Sequence, residues 1–116
     1  MSFRVRYAAS ARDDLKRLYG FLVRRDVAAA ERALEAIRRA VEVLRDFPFT
    51  CRKVDDANPF LRELVISFGN SGYVALFEIE GEQEGAAVQD EADEQDEPVR
   101  YVSILAVRHQ REDDWL

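Results

Sequence analysis

The amino-acid sequence predicts an α+β fold: a small, mainly antiparallel β-sheet with an N-terminal antiparallel helix hairpin on one face, in the order β-α-α-β-β-β. Three observations predict it. Between about residues 11 and 45, apolar residues recur every three or four positions, as on amphipathic helices. Beyond a polar link the period falls to two, the mark of half-buried strands. The length of 116 residues suits one compact domain and is too short for two, so residues 1–116 read as a single domain.

The first strand is "FRVRY", in which Phe3, Val5 and Tyr7 alternate with Arg4 and Arg6. Ser10, three residues before Asp13, reads as a capping box that opens a helix from about Ala11 to Arg24. Leu15, Leu18, Tyr19 and Leu22 share its inner face. Asp26 is a second N-cap. The helix it starts runs to about Arg45, with Ala30, Ala33, Leu34, Ile37, Ala40, Val41 and Leu44 on one side. So short a link makes the two helices an antiparallel hairpin. Pro48 ends the second helix, because it disfavours a helical conformation at Phe47.

A polar link with Cys51, Arg52 and Lys53 leads to strands at Phe60–Phe68 and Tyr73–Ile79, joined by the turn "GNSG". Val99–Val107 is the last strand. Residues 80–98, "EGEQEGAAVQDEADEQDEP", read as an overlong, flexible, acidic insertion in a hairpin. The helices cover one sheet face. The other, with Val65, Val74, Leu76, Val102 and Ile104 or their alternates, is either a partner site or the resting place of Trp115 and Leu116.

Composition excludes several classes. No apolar run approaches the ~20 residues that span a bilayer, so no membrane role is expected. The opening "MSFRVRYAAS" lacks the apolar centre of a secretory signal, and the expected location is cytoplasmic. One cysteine permits no internal disulfide and no thiolate zinc cluster; no metal or cofactor is expected. The net charge of −6 is uneven. Nine of 23 acidic residues fall in 80–98, leaving 17 basic against 14 acidic groups elsewhere, and 15 of the 17 are arginine.

The order of elements and several stretches resemble the RelE/ParE family of type II toxin–antitoxin toxins, the plasmid-stabilisation proteins. "ASARDDLKRLYGFL" is similar to the family's first helix through Ala11, Asp14, Leu15 and Tyr19. "LRDFP", "LRELVISFGNSGYVALFEI" and "VSILAVRHQREDDW" follow in the family's order, the last carrying its His-x-Arg ending at His109 and Arg111. The resemblance implies a growth inhibitor neutralised by a cognate, ParD- or RelB-like antitoxin encoded in the same operon. It also implies one of two targets: DNA gyrase for ParE-like members, ribosome-bound mRNA for RelE-like ones. A degenerate member that only binds antitoxin is a third reading.

RNA cleavage would need His109 as acid or base, with Arg111, Arg62, Arg108 and Lys53 around the phosphate. Cationic neighbours would favour the neutral imidazole. The plainer reading of Arg62 is a cross-strand pair with Glu63. Gly72 and Tyr73 stand where many nuclease members carry a basic residue, which tilts the reading towards gyrase. Without catalysis, Arg108, Arg100, Tyr73, Trp115, Arg52 and Lys53 are the expected antitoxin- or target-binding residues. Cys51, beside Arg52 and Lys53, is open to a lowered pKa but lacks a catalytic partner nearby in sequence.

Overall fold

The computed structural model describes residues 2–80 and 99–111. The chain forms β1 (Arg4–Tyr7), α1 (Ala9–Val23), α2 (Val27–Glu42), short 3₁₀ turns at Val43–Arg45 and Pro48–Thr50, then β2 (Arg52–Asp55), β3 (Asn58–Phe68), β4 (Ser71–Glu80) and β5 (Tyr101–His109). One sheet holds all five strands in the order β1-β5-β4-β3-β2. Pairing is antiparallel except between β1 and β5. This is the expected α+β architecture with one strand more.

Alternation builds β1, where Val5 and Tyr7 are half-buried and Arg4 and Arg6 exposed. The Ala8 N–H still bonds to the Ile104 carbonyl at 2.8 Å, so the chain leaves the sheet only there and turns directly into α1. The expected capping box does not form: Ala8 is the N-cap, and no side chain caps the helix. Ser10 instead lies in the first turn and donates to the Leu105 carbonyl at 2.6 Å. The sheet, rather than its own side chains, fixes the start of α1.

Asp26 caps α2 as expected, its Oδ1 accepting from the Ala29 N–H at 3.1 Å. Ala30, Ala33, Ile37 and Val41 form the buried seam of that helix, and the alanines let it lie close to its neighbours. Leu44 continues the seam into the first 3₁₀ turn. Pro48 opens the second turn and is itself buried.

The unforeseen strand is β2. All four of its residues are exposed, so no apolar alternation marks it, and only backbone pairing with β3 makes it a strand. A short charged outer strand also discourages pairing with other chains. β3 and β4 join through Gly69 and Asn70, with Phe68 opposite Ser71. Gly69 sits at φ +62°, a conformation that glycine adopts at least cost. Gly72 is required for space: a Cβ there would stand 1.9 Å from the Ile66 carbonyl oxygen.

β4 and β5 pair from Glu80 and Tyr101 to Tyr73 and His109, with Leu105 as a bulged extra residue. β1 ends opposite Ile104, so the outer edge of β5 beyond it needs other partners. α1 supplies them: Ser10 donates to the Leu105 carbonyl, and Asp14 Oδ2 accepts from the Val107 N–H at 2.9 Å. The core lies between helices and sheet, where Phe77, Leu44, Ile104, Val102 and Val107 are fully buried. Each such side chain contributes about 1.5–3 kcal/mol.

Val102 and Ile104, expected on the uncovered face, therefore belong to the core. The register puts Val65, Val74 and Leu76 on that face, with Arg6, Glu63, Glu78, Glu80 and Ser103 beside them. The expected flexible insertion beyond Glu80, and the role given to Trp115 and Leu116, lie outside the described residues.

Candidate functional site

His109 ends β5 on the helix-facing side, paired with Tyr73 of β4. Its ring stands edge-on to the Tyr73 ring, with centroids 5.5 Å apart and planes 88° from parallel. The Arg111 backbone N–H donates to Nδ1 at 3.1 Å. A nitrogen that accepts from an amide carries a lone pair, so in the neutral ring the proton sits on Nε2. Nε2 is 3.1 Å from Ser71 Oγ and donates to it in this tautomer. Burial pushes the Tyr73 hydroxyl above its ordinary pKa.

The imidazole looks into a cleft of about 630 Å³ between the second half of α1 and the β3–β4 turn. Leu18, Leu22, Phe68 and Tyr73 line it with apolar surface, and Phe21 stands over it with 55% of its surface exposed. The Arg25 guanidinium covers the Phe21 ring at 4.4 Å. Arg17 and Arg111 complete the lining, and no acidic side chain appears in it among the described residues. Arg17, Phe21 and Arg25 escaped the sequence reading. Part of the signal was there: Arg17 and Phe21, at i and i+4, are neighbours on α1, whereas Arg25 lies in the turn beyond the helix end.

Of the residues singled out from sequence, His109, Arg111 and Tyr73 come together here. Arg108 is half-buried on the opposite face, across from Val74, with Nη1 3.3 Å from the His109 carbonyl. Arg62 is far off, at a position roughly 16 Å from His109 by strand rise and spacing. Its guanidinium, only 9% exposed with its residue, donates to the carbonyls of Pro59 at 2.7 Å, Phe49 at 2.9 Å and Cys51 at 2.7 Å. It does not pair with Glu63, which takes Arg52 instead at 2.8 Å. Lys53 is exposed on β2. Arg100 lies at the far end of β5, its guanidinium 5.8 Å from the Phe3 ring. Trp115 lies outside the described residues.

Cys51 differs from expectation. Burial raises its thiol pKa, and the nearby Arg62 offsets this only in part. On the uncovered face Arg6, Ser103 and Glu80 form a closed network: Arg6 pairs with Glu80 and donates to Ser103 Oγ at 3.0 Å, and Ser103 donates to Glu80 at 2.9 Å. Arg6 also lies 3.8 Å above the Tyr101 ring. Among the described residues, no cluster of histidine, cysteine and carboxylates could hold a metal ion. Nor is any of their helices long and apolar enough to cross a membrane.

Residues 5–89 match the family described as ParE toxin of type II toxin-antitoxin system, parDE. The chain belongs to this ParE toxin family. It is also 36% identical over 81 residues to Toxin RelE1 of Caulobacter vibrioides, covering 70% of this chain and 84% of that toxin. The protein is thus a toxin of a type II toxin–antitoxin system, and its partner is a cognate antitoxin. The ParE match takes in β1 to β4 but ends before β5, so His109 and Arg111 lie beyond it.

Proposed function

We propose that this toxin stops growth by binding DNA gyrase, in the manner of ParE, and not by cutting RNA. The observation that carries this reading is the state of His109. Both ring nitrogens are engaged within the protein, Nδ1 by the Arg111 amide and Nε2 by Ser71. Transesterification at a phosphodiester needs an acid or base that can reach substrate and cations around the phosphate. Arg62, the cation suggested for that cradle, spends its donors on three backbone carbonyls far away. Position 72 has no room for a side chain at all, so a basic residue there is excluded by the Ile66 carbonyl. The match to a family described as ParE points the same way.

The RelE-like reading is favoured by two observations: three arginines surround the His109 cleft, and the Caulobacter relative bears the name RelE1. The two readings part in vitro. With gyrase, ATP and plasmid, the purified toxin is expected to accumulate cleaved DNA; with translating ribosomes it is expected to leave mRNA whole. His109→Ala is expected to retain most growth inhibition. Cleaved ribosomal mRNA, together with a roughly 10²–10⁴-fold loss in His109→Ala, would instead mark general acid–base catalysis. A ParD- or RelB-like antitoxin from the same operon is the neutralising partner, and the cytoplasm the site of action.

A further inference from the structure

At the corner of the sheet where β3 begins, the helix-facing side stays apolar without being covered. Phe60 opens the β3 row that continues through Arg62, Leu64 and Ile66 into the core. Its ring packs edge-on against Phe49 with centroids 6.1 Å apart, and Phe49 packs against Phe3 at 6.4 Å. Of these rings only Phe3 is buried: Phe60 is 47% exposed, Phe49 49%, and Phe47, two residues earlier, 60%. The Arg62 guanidinium stands 5.4 Å from the Phe49 ring and holds the carbonyls of Phe49, Cys51 and Pro59. The backbone under the rings is thus fixed in advance, which lowers the ordering cost of any contact they make. We propose that this corner is where two copies of the toxin associate, with Phe47, Phe49 and Phe60 of each packing on those of the other about a two-fold axis.

Charge and area both suit a second copy. A two-fold contact needs a surface complementary to itself. This one carries both signs: Arg45 and Asp46 precede Phe47, Lys53 stands opposite Arg62, and Asp55 opposite Asn58. Aromatic side chains bury about 150–250 Å² each, so three that are half exposed offer about 300 Å², in the range that marks a binding patch on a monomer. Val43, 49% exposed and one turn before Phe47, adds to it. A standard interface takes about 800 Å² per partner, of which about 500 Å² is apolar in homodimers. The corner falls short of that, so the dimer is reversible and forms in the micromolar range. Phe60 lies about 20 Å along β3 from Ile66, which is opposite Tyr73 and, through it, in line with His109. Association therefore leaves both His109 clefts open, and one particle carries two of them. This inference does not depend on the gyrase reading.

Sedimentation of the purified full chain tests this. The mass is expected to rise with concentration from 13.4 kDa towards twice that value. Phe47→Ser and Phe60→Ser should each weaken association about tenfold, the effect of losing one well-packed aromatic anchor. Their far-UV circular dichroism should be unchanged, because both side chains are exposed. Val65→Asp on the uncovered face and Phe21→Ser at the cleft should leave the dimer intact. Salt at about 1 M should preserve or strengthen it, since screening reduces the repulsion between chains of net charge −6. Hydrogen exchange of the wild-type chain at two concentrations needs no variant: amides at residues 47–50 and 58–61 should exchange more slowly at the higher one. A mass of 13.4 kDa at every concentration overturns the proposal. So does a dimer that survives both phenylalanine substitutions, one lost with Val65→Asp or Phe21→Ser, one that dissolves in salt, or protection gained only elsewhere in the chain.

Discussion

Replacing Arg62 by alanine separates an architectural role from a catalytic one. The guanidinium gathers the carbonyls of Phe49, Cys51 and Pro59, tying the second 3₁₀ turn and the start of β2 to β3. Hydrogen bonds from a charged donor contribute about 1.5–3 kcal/mol each, so three have a gross value of at least about 4.5 kcal/mol. These carbonyls lie near the surface and recover part of that by binding water, which leaves a net loss of about 2–4 kcal/mol. For a chain of this size the entropy of unfolding makes each kcal/mol worth about 4 °C in Tm. Arg62→Ala should therefore melt roughly 8–16 °C lower. Arg62→Lys should recover only part of the loss, because an ammonium cannot span three acceptors in a plane. The assay is thermal unfolding followed by circular dichroism, beside growth inhibition at a temperature where the variant remains folded. A Tm within about 2 °C of wild type, with toxicity abolished, would refute this account and return Arg62 to the chemistry.

Asp14→Ala leaves the Val107 N–H at the β5 bulge without its acceptor and should cost about 1–3 kcal/mol in urea unfolding, whereas Asp14→Asn should keep most of it. Tyr7 and Tyr73 both have raised pKa values, Tyr73 through burial and Tyr7 through burial first and Glu42 second. The neutral phenols thus favour the folded state; their contribution is complete below about pH 10, the unfolded value, and fades as pH rises through the raised folded values. The half-buried Cys51 thiol, whose pKa is also raised, lets Tm begin to fall above about pH 8.5. With Cys51→Ser in place, an alkaline titration of Tm should be flat up to about pH 10 and fall beyond it, and a decline starting well below that pH would contradict the assignment. Because Glu80 and Tyr101 are direct partners at the end of the β4–β5 ladder, deleting residues 82–96 should leave a single cooperative melting transition; its collapse would show that the segment is needed for folding.

The elements legible in the sequence are those whose own pattern meets their environment. Both helices carry an apolar stripe because each packs on one side only, and Asp26 caps α2 because the chain there is free of the sheet. Ser10 misled because a capping box presumes a helix that starts in solvent; here the Ala8 amide is still committed to Ile104. β2 left no trace because pairing alone defines an edge strand with neither face covered. Arg62 could not be read either, since its acceptors are main-chain carbonyls, which no side-chain pattern records. As for the cleft, His109 and Arg111 were visible as a local motif, but its α1 wall depends on the folded distance between residues some ninety positions apart.

The extra residue at Leu105 decides which chemistry appears on which side of this protein. Val102 and Ile104 carry even numbers and Val107 and His109 odd ones, yet all four point towards the helices. A regular strand of the same composition would keep its parity, sending the imidazole to the far side and driving an arginine into the apolar layer. One unpaired position, stapled in place by a serine and an aspartate from the first helix, thus acts as a phase shift that lets one strand serve two surfaces.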